Sequence, residues 1–291
     1  RLAAETLGSA APRVTLYGQV PEYDVELGGR RVFLGTGGAA VKVVHLDGVV
    51  RDSCLRDLYD IGRLVDSLRN IHFYHRPVIA RDIPDDVLDV NTFYACLSAT
   101  QKHVMGSFLA PRHVEDVCEL AALVAGGRQR LRERPIISGG VSWMVSPLRC
   151  SAENVETLHE LVKQGIPIVL SSAPQAGTTA PIALAGTLVQ LLAEQISGAV
   201  YVNLLRPGHP VLLGCVPSVS DMRTGAFSGG GPEFALMNAA AAQLARRAGL
   251  PVYVSAGVTD SKVPDAQAGY EKGMSTAIVG LAGANYIHHS A

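Results

Sequence analysis

The residues best placed to do chemistry follow a series of short apolar runs. They are Ser107 and Phe108; Ser142 and Trp143, the only tryptophan; and Ser171, Ser172 and Gln175. Further along stand Pro217, Ser218, Asp221, Arg223, Phe227 and Ser228, then Ser255, Asp260, Lys262, Asp265 and Gln267, and last His288 and His289. The set is neutral to mixed in charge and carries aromatic rings. Trp143 and Phe108 could cage a cationic ligand, since ring faces attract a quaternary ammonium, or they could fill the top of a core. Asp221 and Asp260 could add negative potential for such a cation, or cap turns, the commoner use of Asp in loops. Lys262 could read a carboxylate, although a salt bridge within its Asp-rich loop is the plainer reading.

The pattern excludes several chemistries. No HxH, HExxH or paired-Cys spacing supports a zinc site, and adjacent His288 and His289 on a strand would point to opposite faces. The glycines of GTGG at 35–38 lack the spacing of a dinucleotide fingerprint and mark a turn. GGGP at 229–232 lacks the GK[ST] of a P-loop; it reads as a flexible turn first and an anion nest second. Cys54, Cys96, Cys118, Cys150 and Cys215 are unpatterned, which argues for a reducing compartment, the cytoplasm, and against a disulfide frame. Net charge is −1 with no basic stripe, so nucleic acid is not expected as a partner. No charge-free run of 18 apolar residues suggests a membrane span, and Arg1 does not open a signal peptide.

The elements that must position these residues alternate. Unbroken apolar runs predict strands near 74–80, 102–108, 135–141, 166–172, 211–216, 251–256 and 285–289, as expected of parallel strands buried on both faces. Between them, helical spacing covers about 84–99, 112–125, 152–164, 181–205, 232–248 and 265–282, preceded by a helix over 57–68. Gly165 and Gly249 fall where helices end, and Pro232 suits a first helical position. Alternation of this kind predicts an α/β fold, a TIM (β/α)8-type barrel with its chemistry at the C-terminal ends of the strands. Residues 1–54 read as an N-terminal β-rich cap of antiparallel hairpins, built from 14–17, 24–27, 31–34 and 41–44. Residues 55–291 read as the barrel, incomplete at the C-terminus: seven strands are visible, and the eighth is expected beyond Ala291 in a longer protein.

Four long motifs carry a resemblance: SVSDMRTGAFSGGGPEFALMNAAAAQ at 218–243, VTDSKVPDAQAGYEK at 258–272, SAPQAGTTAP at 172–181 and GANYIHHSA at 283–291. The chain resembles the trimethylamine methyltransferase family along nearly its whole length. That resemblance implies a TIM barrel that moves a methyl group from a methylated amine to the cobalt of a separate corrinoid protein. With only the standard residues, the chain is similar to the pyrrolysine-free branch, which acts on glycine betaine and related quaternary amines. The implied catalyst holds no cofactor tightly, works on the cob(I)alamin of its partner, and is compatible with a homo-oligomer. In a quaternary amine the methyl sits on a positive nitrogen, so the tertiary amine leaves without a proton and positioning becomes the main task; alignment alone can supply roughly 7–11 kcal/mol. On this reading Trp143 and Phe108 contact the cation, Gln175, Ser218 and Gln267 orient the substrate, and Lys262 or His288 meets any carboxylate. Asp221, Asp260 and Asp265 have structural or electrostatic roles. A folate-dependent barrel methyltransferase and a non-catalytic binder of betaine-like solutes are the alternatives.

Overall fold

The computed structural model describes residues 2–289. In chain order the elements are α1 (Leu2–Leu7), β1 (Val14–Leu16), β2 (Val25–Leu27), β3 (Phe33–Leu34), β4 (Lys42–Val44), β5 (Val50–Asp52), α2 (Leu55–Ser67) and β6 (Phe73–His75). Then follow α3 (Asp85–Ala99), β7 (His103–Ser107), α4 (His113–Ala125), α5 (Arg128–Glu133), β8 (Ile137–Val141), α6 (Ala152–Gln164) and β9 (Ile168–Ser172). The remainder are β10 (Gln175–Ala176), α7 (Leu184–Leu205), β11 (Val211–Cys215), β12 (Ser218–Ser220), β13 (Phe227–Ser228), α8 (Pro232–Arg247), β14 (Val252–Ser255), α9 (Ala266–Leu281) and β15 (Tyr286–His288).

Eight strands form one parallel sheet in the order β3, β15, β14, β11, β9, β8, β7, β6. The seven expected barrel strands are all present. The eighth is not beyond Ala291, as expected, but is β3, inside the segment assigned to the cap. Its Phe33 and Leu34 pair with Tyr286 and Ile287 of β15. On its other side His72 N–H donates to Leu34 O at 2.7 Å, and Gly35 bridges to Phe73 of β6, so the ring meets. A strand of two residues among Gly pairs carries no readable periodicity, which is why it passed for half of a hairpin. Gly35 permits the closure: a Cβ there would lie 1.8 Å from Cε2 of Phe73.

The hairpin expected from 14–17 and 24–27 exists as β1–β2, with Val14 opposite Leu27. Segment 41–44 pairs with β5, while 31–34 supplies β3 to the barrel. The β1–β2 hairpin plugs the N-terminal end of the barrel. Val14, Leu16, Val25 and Leu27 form one cluster with the inward residues Phe73, Met105, Val169, Leu212, Tyr253 and Tyr286, a single residue from each of six strands. Alternation on each strand explains the selection, because every second side chain faces inward. His103 ties plug to barrel: Nδ1 lies 3.0 Å from Tyr17 O and Nε2 lies 2.9 Å from Ser138 Oγ. A carbonyl only accepts, so Nδ1 carries the proton and the hydroxyl donates to Nε2.

The larger core lies between strands and helices, where Val104, Ile137, Ile168, Leu213 and Val254 meet Leu88, Val117, Leu158, Leu161, Leu191 and Ala242. Helix ends follow the sequence signals: Ser151 Oγ accepts from Asn154 N at the start of α6, Gly165 ends it in the left-handed region, and Pro232 opens α8. Helix α7 is long and apolar enough to cross a membrane by length and composition, a property the search for charge-free runs passed over. It packs on β9 and β11, with Glu194 and Gln195 fully buried. Gln195 joins those strands by donating to Ser172 Oγ at 2.7 Å and accepting from Gly214 N at 2.8 Å.

Candidate functional site

At the C-terminal mouth β14, β15 and, across the short β3, β6 place His75, Tyr253, Ser255 and His288 side by side. These continue the inward register set by Phe73, Tyr253 and Tyr286. His288 stacks on Tyr253 with centroids 4.0 Å apart and planes at 15°. His75 lies 5.7 Å from His288 and 5.9 Å from Tyr253. Ser255 Oγ is 2.7 Å from His288 Nε2 and 3.1 Å from His289 Nδ1. One hydroxyl proton cannot serve both, so the serine donates to one ring and accepts from the other. Nδ1 of both His75 and His288 is buried without a partner. Both approach Gly37, where a Cβ would sit 2.5 Å from His75 Nδ1 and 3.1 Å from His288 Nδ1.

Burial sets the charge of this cluster. It holds His75 and His288 well below the ordinary imidazole value, helped by Arg76 and His289 for His75 and by His289 and His75 for His288. His289 is pushed down to about 4, by burial first and Lys272 second. Burial raises the Tyr253 phenol. Near neutral pH the group is therefore a stack of uncharged rings.

The loops above the mouth are stitched together. Gln175 and Ser218 face each other as Cα partners where β10 pairs with β12, and Ser218 N–H donates to Pro174 O at 3.1 Å. Asp260 Oδ2 accepts from Ser228 Oγ at 2.9 Å, and Oδ1 accepts from Gly229 N at 2.9 Å. Those bonds outweigh its burial and draw its pKa down. The glycine nest considered above for an anion is thus occupied by the protein's own carboxylate. Glu271 closes the next turn, accepting from Thr259 Oγ1 at 2.6 Å and Asp260 N at 2.9 Å.

Several residues singled out from the sequence lie elsewhere. Trp143 is buried in the outer core against Tyr201, 5.3 Å between centroids, and its Nε1 donates to Ser197 Oγ at 3.0 Å. Phe108 stacks on Phe93 of α3 at 5.4 Å. These two rings form no cage with each other: the tryptophan follows a strand end but turns outward, to the helix side. Gln267 sits exposed on α9, donating to Glu271 at 2.8 Å, and Lys262 is exposed. Asp221 caps its own turn, accepting from Arg223 N at 2.8 Å. Asp265 caps α9, accepting from Ala268 N at 2.9 Å. Gln175, Ser218 and Asp260 lie in the loops beyond the strand ends, and His288 lies in the ring cluster. The sequence reasoning missed Tyr253 and Ser255 as a partner of His288, and it set His75 aside. Their signal was strand parity: His75, Tyr253 and Ser255 stand at alternate positions with the inward residues of their strands. Among the described residues no group of three or more His, Cys, Asp or Glu is placed to hold a metal ion.

Comparison with known proteins gives a consistent picture. The family model described as trimethylamine methyltransferase (MTTB) matches residues 1–291. A glycine betaine methyltransferase of Desulfitobacterium hafniense is 34% identical over 98% of this chain and 60% of its own length. Proteins named trimethylamine methyltransferase MttB are 35% identical in D. hafniense, over 99% of this chain and 58% of theirs, and 36% identical in Methanosarcina barkeri, over 99% and 59%. The chain spans about three fifths of the length of these relatives. Among solved structures, dihydropteroate synthases are similar in fold. The protein from Coxiella burnetii gives a TM-score of 0.56 at 8% identity over 95% of this chain and 93% of that one; that from Xanthomonas albilineans gives 0.55 at 12% over the same shares. At such identity the likeness speaks to the barrel alone.

Proposed function

Since this chain belongs to the trimethylamine methyltransferase family, we propose that its protein transfers a methyl group from a methylated amine, a quaternary one, to the cobalt of a corrinoid carried by a separate protein. The observation that carries the reading is the uncharged stack of Tyr253, His288 and His75 at the barrel mouth. Ring faces attract a quaternary ammonium, and they do so more strongly where water is excluded. Protonated imidazoles would repel it. The burial that keeps His75 and His288 neutral therefore serves the binding of a cation.

The acceptor supplies a reduced, nucleophilic metal. The carbon–nitrogen bond breaks as the methyl moves, its electron pair stays on nitrogen, and the amine leaves neutral. No general acid is required of the protein, and none need be sought among the mouth residues. What these residues do is hold the ammonium against the rings, point one methyl out of the mouth, and keep water away. Such positioning is the source of the largest entropic gains in bimolecular catalysis. Gln175 and Ser218, joined across the β10–β12 pair, are proposed to line the rim over the rings. The loops held by Asp260 and Glu271 keep that rim in place.

The test is a methyl-transfer assay with cob(I)alamin and a panel of quaternary and tertiary amines, read by the absorbance change on methylation. Replacing Tyr253→Leu should lower kcat/KM by about 3- to 30-fold, the range expected for one partly desolvated cation–π contact. If amines bind but the cobalt is never methylated, the protein is a binder and not a methyltransferase.

A further inference from the structure

The end of the barrel opposite the mouth carries an open cleft of about 670 Å3 that methyl transfer leaves unused. It lies between the segments flanking the plugging hairpin and the C-terminal end of α8. Arg13 and Arg30 line it from the hairpin side, Arg246 and Arg247 from the last turn of α8, and Gln243 adds an amide one turn earlier. No carboxylate stands among the described residues that line it. Positions 13, 30 and 246–247 meet only through the fold, so the sequence shows no basic stripe. Glycines make the meeting possible. Gly28 and Gly29, at φ of +136° and +58°, turn the chain after β2 and deliver Arg30; Gly249, at +76°, turns it behind Arg247.

The positive charge here is not balanced by the protein. Glu26 accepts from Arg13 Nη1 at 2.9 Å and from Arg31 Nη1 at 2.8 Å, so one carboxylate serves two guanidiniums. Arg246 Nη1 donates to Ala282 O, at the end of α9, at 3.0 Å. The guanidiniums of Arg30 and Arg247 form no hydrogen bond or ion pair with any described residue. Arg13, Arg30, Arg31, Arg246 and Arg247 against Glu26 leave a charge of +4. Helix ends explain part of this placement: the free carbonyls of α8 and α9 act as about −0.5 each, which leaves roughly +3. The whole chain carries −1, so the cations are gathered at this cleft and are not a general excess. Arg13 is shared with a second hollow of about 620 Å3, where Arg132, Lys163 and Arg206 stand with a single carboxylate, Glu133. Like charges around one concavity focus the field and draw anions in.

We infer that this cleft is a binding site for a small, multiply charged phosphate anion of the pyrophosphate class. Its cations are all arginines, whose planar forks meet phosphate oxygens in two places at once. Its volume is that of a small-ligand site. Two phosphates in one molecule answer guanidiniums that stand on both walls. Bound there, the anion would join the hairpin side to α8 and brace the plug. The site is separate from the rings of the mouth, and the assignment does not rest on the methyl-transfer reading.

Calorimetry and thermal melts of the full chain test the assignment. The probes are inorganic pyrophosphate, orthophosphate and ADP, with sodium chloride at matched ionic strength as the control. Pyrophosphate is expected to bind about tenfold tighter than orthophosphate or better, and to raise the melting temperature where chloride does not. ADP as tight as pyrophosphate makes a nucleotide the source of the phosphates, and ADP much weaker makes it the inorganic ion; either supports the site. Joining Arg30→Gln to Arg247→Gln should weaken pyrophosphate about tenfold or more, while Arg128→Gln, at an exposed arginine outside the cleft, stays within about twofold. Arg30 and Arg247 bond to no described residue, so the double variant should fold as the wild type does. A pyrophosphate effect that chloride reproduces, or an affinity unmoved in the double variant, overturns the site. Binding of a polyglutamate peptide without binding of pyrophosphate overturns it too, and makes the cleft a docking face for an acidic protein.

Discussion

Acid should unfold this protein well before its carboxylates titrate, and the buried histidines set the scale. His103 and His209 are 0% and 1% exposed, and burial lowers both to about 4 against an ordinary 6.5. A histidine depressed in the folded state binds a proton more readily once unfolded. Stability is therefore flat above the unfolded value, falls as pH drops through 6.5, and levels off only below the folded value. At pH 5 each such residue withdraws about 2 kcal/mol relative to pH 7, so the pair removes about 4 kcal/mol. Typical domains hold only 5–15 kcal/mol. His75, His288 and His289 are shifted the same way and steepen the fall. Urea titrations at pH 7 and pH 5 should then show a midpoint lower by more than roughly 1 M at the acid pH, taking an m of about 3 kcal/mol per molar. His209→Gln keeps a donor for Ile166 O, 3.0 Å from Nε2 in the wild type, and should flatten the dependence by about a fifth. Equal midpoints at the two pH values would show that these imidazoles are not held neutral by burial, and the account of the mouth would lose its electrostatic basis.

Other outcomes follow from the packing. Trp143→Ala should cost about 3–5 kcal/mol of stability, seen in the urea midpoint, with amine affinity of the folded fraction unchanged. Gly35→Val should destabilise by about 3 kcal/mol or more, because Phe73 already occupies the space of a Cβ, and circular dichroism melts will show it. Gly37→Ala adds a Cβ 2.5 Å from His75 Nδ1 at a φ of +155°, and should reduce kcat/KM in the cob(I)alamin assay by more than tenfold. Asp260→Asn should cost about 1–2 kcal/mol and increase proteolysis in the 221–231 loop, since Ser228 and Gly229 lose the charged acceptor that pins them.

Much of the fold was legible because parallel strands buried on both faces leave long apolar runs with helices of clear period between them. The strand predicted over 211–216 runs from Val211 to Cys215, and the helix predicted over 152–164 has those bounds. Closure was not legible, since β3 is two residues long and is specified by its neighbours, not by its own pattern. The site was half legible. His288, Gln175 and Ser218 follow from standing after strands, but Trp143 stands there too and turns to the helix layer, where Tyr201 and Ser197 receive it. Strand ends fix which loop a residue belongs to. Whether it faces in or out depends on where the strand stops, a detail of one residue that composition cannot reveal.

The two-residue strand that shuts the ring also dictates when the ring can shut. Leu34 is matched to Ile287, about 250 positions along the chain. Every other neighbouring pair in the sheet can form as its own stretch of polypeptide is completed, each helix returning the chain to the growing edge. The final seam cannot, because loop closure over such a span must precede any reward from the contact. Until then the rings of Tyr253 and His288 stand at an open edge, so the burial that neutralises the imidazoles is acquired late. Assembly of the mouth and closure of the barrel are one event, and recovery of amine binding during refolding should coincide with the slowest step in forming the sheet.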